Sequence, residues 1–373
     1  MGGRCYSAVH APHATDNHDG TGIMKLKLTT MKRKAKRALK KLGLRSETIK
    51  PSANKEVVQK AKKPPLKSFG QTIYVPRWRL KNYFAVQEFG DSHKRWFIEQ
   101  RYLHLLKKFP DLDNPRLFNE KIHWLNLHYK DPLITRCCDK YELKNYVSEV
   151  VGEQYVVPNI CAYRSANEIC FDELPDRFAI KVNWGDGPEF SHVVSDKAKA
   201  NEDQIKGKMN NAIQPWNNLY YSHFFWGYKN VQPRIFVEEF LDSGNEDIKD
   251  YKVHCFNGEP KFILVCEDRQ KGNLQKTFLD LDWNLMPCYR ADGAVNPNVE
   301  KPCNFDEMIE IARKLAEPFP FVRVDFYSLD RSLYVGEMTF HPGCGFEEFL
   351  PSEWNLKVGD MLVLPEIEMG NED

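Results

Sequence analysis

Near its C-terminal end the chain alternates apolar and polar residues twice in succession. Val322, Val324 and Phe326 take turns with Arg323 and Asp325, and Tyr334, Met338 and Phe340 take turns with Glu337 and Thr339. A period of two marks strands with one apolar and one polar face, and residues 328–332 supply the turn between them. A turn centred near Arg331 sets Asp325 opposite Glu337 and Arg323 opposite Thr339. Two opposed carboxylates destabilise a sheet unless something neutralises them. A divalent cation held by hard oxygen ligands would do so, and so would a solvated face on which Arg323 pairs with an acid.

Elsewhere the period changes. Residues 139–150 put Leu143, Tyr146, Val147 and Val150 on one side of an amphipathic helix. Residues 251–256 and 261–265 read as strands around Asn257-Gly258, a pair suited to the positive φ angles of a type I′ turn. Asn304 and Glu307 have capping-box spacing ahead of a helix that buries Met308, Ile311, Ala312 and Leu315. Residues 71–129 read as mostly helical, with Asn119 as N-cap of a helix carrying Ile122, Leu125 and Leu127. Strand patterns at 178–183 and 234–241 complete an α+β or α/β body, and no internal repeat is visible.

Composition adds an asymmetry. The formal charge of the 373 residues is only +1, yet between Lys25 and Lys67 sixteen Lys or Arg face only Glu47 and Glu56. The rest of the chain is therefore acidic. Residues 31–44 form a short basic helix on this reading, suited to an anionic membrane surface or to a solvated tail, and residues 45–67 read as a linker. Residues 1–23 read as an unstructured leader with Met24 an alternative start; they lack a secretory apolar core, and Tyr6 breaks the myristoylation pattern. The ten cysteines include no C-x-x-C, which argues against a zinc site or disulfide framework and for reduced thiols in a cytoplasm. No apolar run reaches membrane-spanning length.

Three further segments carry candidate chemistry. In 178–187 Lys181 and Asn183 project from one face of a strand that runs into a turn bearing Gly185 and Gly187, an arrangement that suits phosphates and also suits a plain strand end. It matches neither a P-loop nor a dinucleotide fingerprint. Glu238 and Glu239 close the next strand, and Asp250, Lys252 and His254 share one face of the strand after that.

The order of these signals along the chain resembles the ATP-grasp fold. More narrowly, residues 114–124, 319–325 and 336–343 resemble the TupA-like ATP-grasp family, associated with teichuronopeptide and polysaccharide biosynthesis. The resemblance covers about 114–364. It implies two α+β subdomains clamping ATP, at 139–237 and 238–364, after a basic leader and linker at 1–67 and a helical region at 68–138, with a tail at 365–373. Lys140 and Lys181 would meet the α- and β-phosphates, under a closing loop that runs from Asn183 through Gly185 and Gly187 to Ser191. Glu238 would accept from the adenine amino group, the main chain of Glu239, Phe240 and Leu241 would read the base, and Glu239 or Asp250 would serve the ribose. Lys252 and Arg323 would face the terminal, transferred phosphoryl group, and Asp325, Glu337 and Thr339 would hold Mg²⁺. Thr339 stands where the fold usually has Asn, and Asp186 and Glu189 make the loop more acidic than usual.

The activity so implied is an ATP-dependent carboxylate–amine ligase working through an acylphosphate, with a saccharide or small-molecule acid and amine as substrates. The alternatives are a kinase on the same fold, which phosphorylates a hydroxyl, and a catalytically weak scaffold in a glycan-assembly complex that uses the basic arm to reach membrane. The expected setting is the cytoplasm, with peripheral membrane contact through 25–67 and no specific nucleic acid.

Overall fold

The computed structural model describes residues 93–367 except 186, 245–247, 269–271 and 330–331, with isolated earlier positions at 66–68, 71–73, 79, 82–83 and 86. The leader and the basic helix expected at 31–44 lie outside the described residues. The chain divides into two compact units between His93 and Lys94. In the smaller unit Leu66–Ser68 (β1) and Gln71–Ile73 (β2) pair antiparallel. The segment expected to be mostly helical from 71 thus begins with a strand.

The larger unit holds every candidate site residue and is built on two antiparallel sheets. Asn159–Tyr163 (β3), Phe178–Val182 (β4), Ser191–Val194 (β5) and Ile235–Glu239 (β6) form the first, in the order β3-β6-β4-β5. Asp250–Phe256 (β7), Glu259–Glu267 (β8), Gln275–Asp280 (β9), Phe321–Leu329 (β10) and Ser332–Thr339 (β11) form the second, in the order β11-β10-β7-β8-β9. The helices, in chain order, are Lys94–Leu106 (α1), Phe118–His128 (α2), Pro132–Cys138 (α3), Glu142–Val150 (α4), Glu202–Ala212 (α5), Leu219–His223 (α6), Phe305–Ala316 (α7) and Trp354–Asp360 (α8). Among the described residues no helix is long and apolar enough to cross a membrane.

Both hairpins read from the sequence form. Asn257 and Gly258 take φ of 49° and 81°, as the turn joining β7 to β8 requires. In the β10–β11 pair Asp325 faces Glu337 and Arg323 faces Thr339. The register shifts just past Asp325, leaving Gly336 as the extra residue of a bulge, and a Cβ on Gly336 would lie 2.7 Å from the Tyr327 ring. Only glycine lets that ring lie against the bulged strand.

One face of the second sheet is half apolar. Phe118, Phe256, Phe262, Phe278, Phe321 and Phe349 cluster there, each at most 2% exposed, with Phe118 of α2 set edge-on to Phe321 at 5.1 Å. Each such burial is worth roughly 1.5–3 kcal/mol, so this cluster anchors the sheet whose other half carries the charges. The amphipathic helix α7 covers the opposite face, where Cys255 Sγ approaches Ala312 O.

Local readings needed three adjustments. Asn119 lies inside α2, whose N-cap is Leu117; Glu120 caps the helix, its carboxylate accepting from the amides of Asp111, Arg116 and Leu117. Asn304 is the N-cap of α7 but no capping box closes, because its Oδ1 accepts from Ser328 Oγ. The helix expected from 139 starts at Glu142, since Asp139 Oδ1 accepts from the amides of Tyr141 and Glu142 and forms a turn.

Candidate active site

The turn at 139–141 sets Lys140. Its amide donates to Asn183 O at 2.9 Å, and Asn183 Nδ2 donates to Asp139 Oδ2 at 2.8 Å. Asn183 is fully buried; its Nδ2 also donates to Gln232 O, while its Oδ1 accepts from the Arg234 amide. Every polar atom of this side chain is thus used inside the protein. Asn183 ties Lys140 to the end of β4 and does not face a ligand.

A narrow crevice opens between the two sheets. Lys140, Lys144, Lys181, Glu238 and Tyr327 supply its polar lining, and Leu143, Val147, Val157, Phe236 and Val335 its apolar walls. Apolar walls with a few convergent charges are what a flat base with a phosphate tail requires. Lys181 projects from β4 and Glu238 from the neighbouring β6, where they form an ion pair. Lys144, on α4, was not anticipated from the sequence. Its Nζ donates to Glu238 Oε2 at 2.8 Å, Val157 O at 2.7 Å and Asn159 Oδ1 at 2.7 Å, which uses all three of its protons. Its position one turn after Lys140 was the available signal. Burial pushes the Glu238 carboxyl up, but Lys181 and Lys144 outweigh it and hold the group below the usual carboxylate range.

The remaining predicted residues lie around that crevice. Glu239 is exposed and its amide donates to Pro158 O, so that amide does not face a base. Phe240 carries the Arg177 guanidinium on its ring at 3.9 Å, and Leu241 is half-buried at the strand's end. Gly185 and Gly187 take φ of 86° and 99° in the loop after β4, and a Cβ on Gly185 would lie 2.5 Å from the Phe190 ring. Trp184 and Phe190 are both buried, and Trp184 Nε1 donates to Ala212 O. The loop expected to close over phosphates is thus pinned at both shoulders, with Pro188 and Glu189 exposed between them. Asp186 lies outside the described residues.

On the second sheet the charges interlock. Lys252 Nζ donates to Asp325 Oδ2 at 2.5 Å and lies 3.4 Å from Asp250 Oδ2. Arg323 grips Asp325 through Nε at 2.6 Å and Nη2 at 2.7 Å, and Nη2 also donates to Thr339 Oγ1 at 3.1 Å. Burial opposes the charge on Asp325, yet Arg323 and Lys252 hold its carboxyl far below the usual range. Lys252 and Arg323 are held above theirs in return, against burial, by Asp250 and Asp325 and by Asp325 respectively. Glu337 reaches across the crevice to Lys140 at 2.9 Å. The solvated face that the alternation also allowed does not form, since Arg323 and Asp325 are buried. What neutralises the opposed carboxylates here is three cationic side chains.

Each lysine expected to meet phosphate therefore rests on a carboxylate: Lys140 on Glu337, Lys181 on Glu238, Lys252 on Asp325. Anionic phosphates and a divalent cation would enter by exchange, the phosphates taking the lysines and the cation taking Asp325 and Glu337. Among the described residues no three His, Cys, Asp or Glu side chains converge on one point. Two carboxylates and the Thr339 hydroxyl fit Mg²⁺ provided that phosphate oxygens and water complete its shell, the usual arrangement for this ion.

No curated protein matches the chain. Among solved structures, D-alanine–D-alanine ligase from Bacillus anthracis is 15% identical at a TM-score of 0.35, covering 56% of this chain and 58% of that one. The Helicobacter pylori enzyme is 15% identical at 0.37, covering 61% of each chain, and D-cycloserine synthetase DcsG is 13% identical at 0.35, covering 71% and 80%. The chain thus spans less than two thirds of the two D-alanine–D-alanine ligases, and likenesses at this level say nothing of activity. The family model for TupA-like ATP-grasp proteins matches residues 120–363, a span that holds both sheets and every candidate site residue. On that match, the chain belongs to the TupA-like ATP-grasp family.

Proposed function

We propose that the protein is an ATP-dependent ligase that activates a carboxylate as an acylphosphate and passes the acyl group to an amine, in the assembly of a surface polysaccharide or related polymer. The observation that carries this reading is the convergence of Lys140, Lys181 and Glu238 on one crevice, with Arg323, Asp325, Glu337 and Lys252 clustered on the sheet that forms its far wall. Phosphoryl transfer is catalysed chiefly by positioning and charge neutralisation, which is what this constellation supplies.

In this mechanism the apolar walls take the base and Glu238 accepts from its amino group once Lys181 has turned to the phosphates. Lys140 and Lys181 neutralise the inner phosphates, and Lys252 and Arg323 the transferred group. Asp325, Glu337 and Thr339 would hold Mg²⁺, which would supply positive charge beside the transferred group. The loop after β4, with Pro188 and Glu189 exposed on it, would cover the acylphosphate and keep water from it. The test is ATP turnover with candidate acids and amines, using a carboxylate labelled with oxygen-18. Ligation through an acylphosphate moves one label into inorganic phosphate and requires both substrates. Phosphate transferred to a hydroxyl, with no amine required, would replace this reading with a kinase, and absence of nucleotide binding would replace it with a scaffold.

A further inference from the structure

His254 stands on β7 beside Lys252, fully buried, its ring stacked on Phe262 at 4.4 Å. Nδ1 lies 3.1 Å from Lys252 O, and Nε2 lies 3.6 Å from Glu347 Oε2. Glu347 is also fully buried, and its other oxygen is held by Arg290. Both His254 Nε2 and Glu347 Oε2 are buried without a hydrogen-bond partner. A carbonyl and a carboxylate can only accept. Neutral imidazole has one proton, so whichever nitrogen carries it, the other turns a lone pair toward an acceptor. Only the imidazolium satisfies both sides.

We propose that His254 is a positioning residue that takes up a proton as nucleotide binds, closing Nε2–H on Glu347 and fixing Lys252 through Nδ1–H to its backbone carbonyl. The inference rests on the nucleotide reading above only for the linkage; the paired acceptors stand without it. The charged groups acting on the ring are Glu347 from the loop after β11, backed by Arg290, and Arg323 and Asp325 from β10. Burial keeps the ring neutral below the ordinary histidine range, Glu347 opposes that, and Arg323 adds to it. A phosphate drawn to Arg323 and Lys252 offsets their positive field, and uptake of a proton follows. By linkage, a proton on His254 tightens phosphate binding in equal measure.

The experiment is long-range ¹H–¹⁵N correlation of histidine-labelled protein from pH 5 to 8, with and without MgATP, with His254 assigned by H254Q. Free protein is expected to show the Nδ1–H tautomer at pH 7 and a lower titration midpoint in E347Q than in wild type. Saturating MgATP is expected to raise the wild-type midpoint by at least half a pH unit. An Nε2–H tautomer, or midpoints equal in wild type and E347Q, would overturn the pair. Wild-type midpoints equal with and without MgATP, where other resonances report binding, would overturn the linkage. If MgATP moves no resonance, the nucleotide reading fails, and the linkage with it, while the comparison of free proteins still decides the pair. Should E347Q not fold, H254Q supplies a second readout. The pH dependence of the Lys252 carbonyl ¹³C shift is expected to vanish in that variant, and its persistence would overturn the pair.

Discussion

Lys140 and Glu337 meet at 2.9 Å across the crevice, joining the turn before α4 to the bulged strand β11. Glu337 is the expected metal ligand and Lys140 the expected phosphate ligand, and each occupies the other in this pair. Replacing Glu337 by Gln frees Lys140 while removing the expected metal carboxylate. E337Q is expected to abolish Mg²⁺-dependent ATP turnover, to keep its fold by circular dichroism, and to bind ATP in the presence of EDTA at least as well as wild type. Undiminished turnover would remove Glu337 from the metal site.

Asp325 is the hub of the second sheet's charges, held by Lys252 and Arg323 in a buried position. D325N leaves two cations facing a neutral amide, and the expected loss is about 3–5 kcal/mol of stability, read by denaturant unfolding. The pH dependence has a definite sign. The folded Asp325 carboxyl is held far below its unfolded value, so the stability it confers is present above about pH 4 and is lost as pH falls further toward the folded value. Glu347, held down chiefly by Arg290 against burial, acts in the same direction. Acid titration of wild type is expected to show stability falling below pH 4, with a shallower fall in D325N. Lys252 has the opposite sense, its contribution being complete below its unfolded value near 10.4 and lost only at higher pH.

Gly185 sets the course of the loop after β4. Its φ of 86° lies in the region that L side chains avoid, and the Phe190 ring fills the space a Cβ would take. G185A is expected to cost about 1–3 kcal/mol and to release the loop's pinned shoulder. MgATP affinity should weaken more than thermal stability does. An unchanged affinity, measured calorimetrically, would separate the loop from the nucleotide.

What the sequence disclosed and what it hid follow from the range of the interactions. Alternation located the β10–β11 hairpin and set Asp325 opposite Glu337, and Asn257-Gly258 located the β7–β8 turn, because strand register follows from a local period and a short turn. It did not disclose that Asn183 is a strut, since the partners that consume its amide come from Asp139, Gln232 and Arg234. Nor did local spacing show Asn119 inside α2, where its Nδ2 donates to Glu347 O from a residue 228 positions away. The pairing of Lys140 with Glu337, of Lys181 with Glu238 and of Lys252 with Asp325 was hidden for the same reason: each pair joins elements that only the tertiary fold brings together.

Lys144 and Lys181 share Glu238 but differ in what else they do, and this separates architecture from ligand binding. Lys144 spends its protons on Glu238, Val157 O and Asn159, with its side chain 13% exposed, and burial lowers its pKa despite Glu238. K144M strips three acceptors of a donor, and a cost of about 2–4 kcal/mol in stability is expected. Lys181 is 23% exposed and its ion pair with Glu238 leaves that carboxylate still held by Lys144, so K181M should cost less than about 1 kcal/mol. Its effect is expected on nucleotide instead, a loss of roughly tenfold to a hundredfold in affinity, the worth of one charge-assisted contact. Unfolding and calorimetry on the two variants decide the matter. Equal affinity losses after correction for folded fraction would make Lys144 a ligand as well as a prop, and no loss in K181M would take the phosphates away from β4.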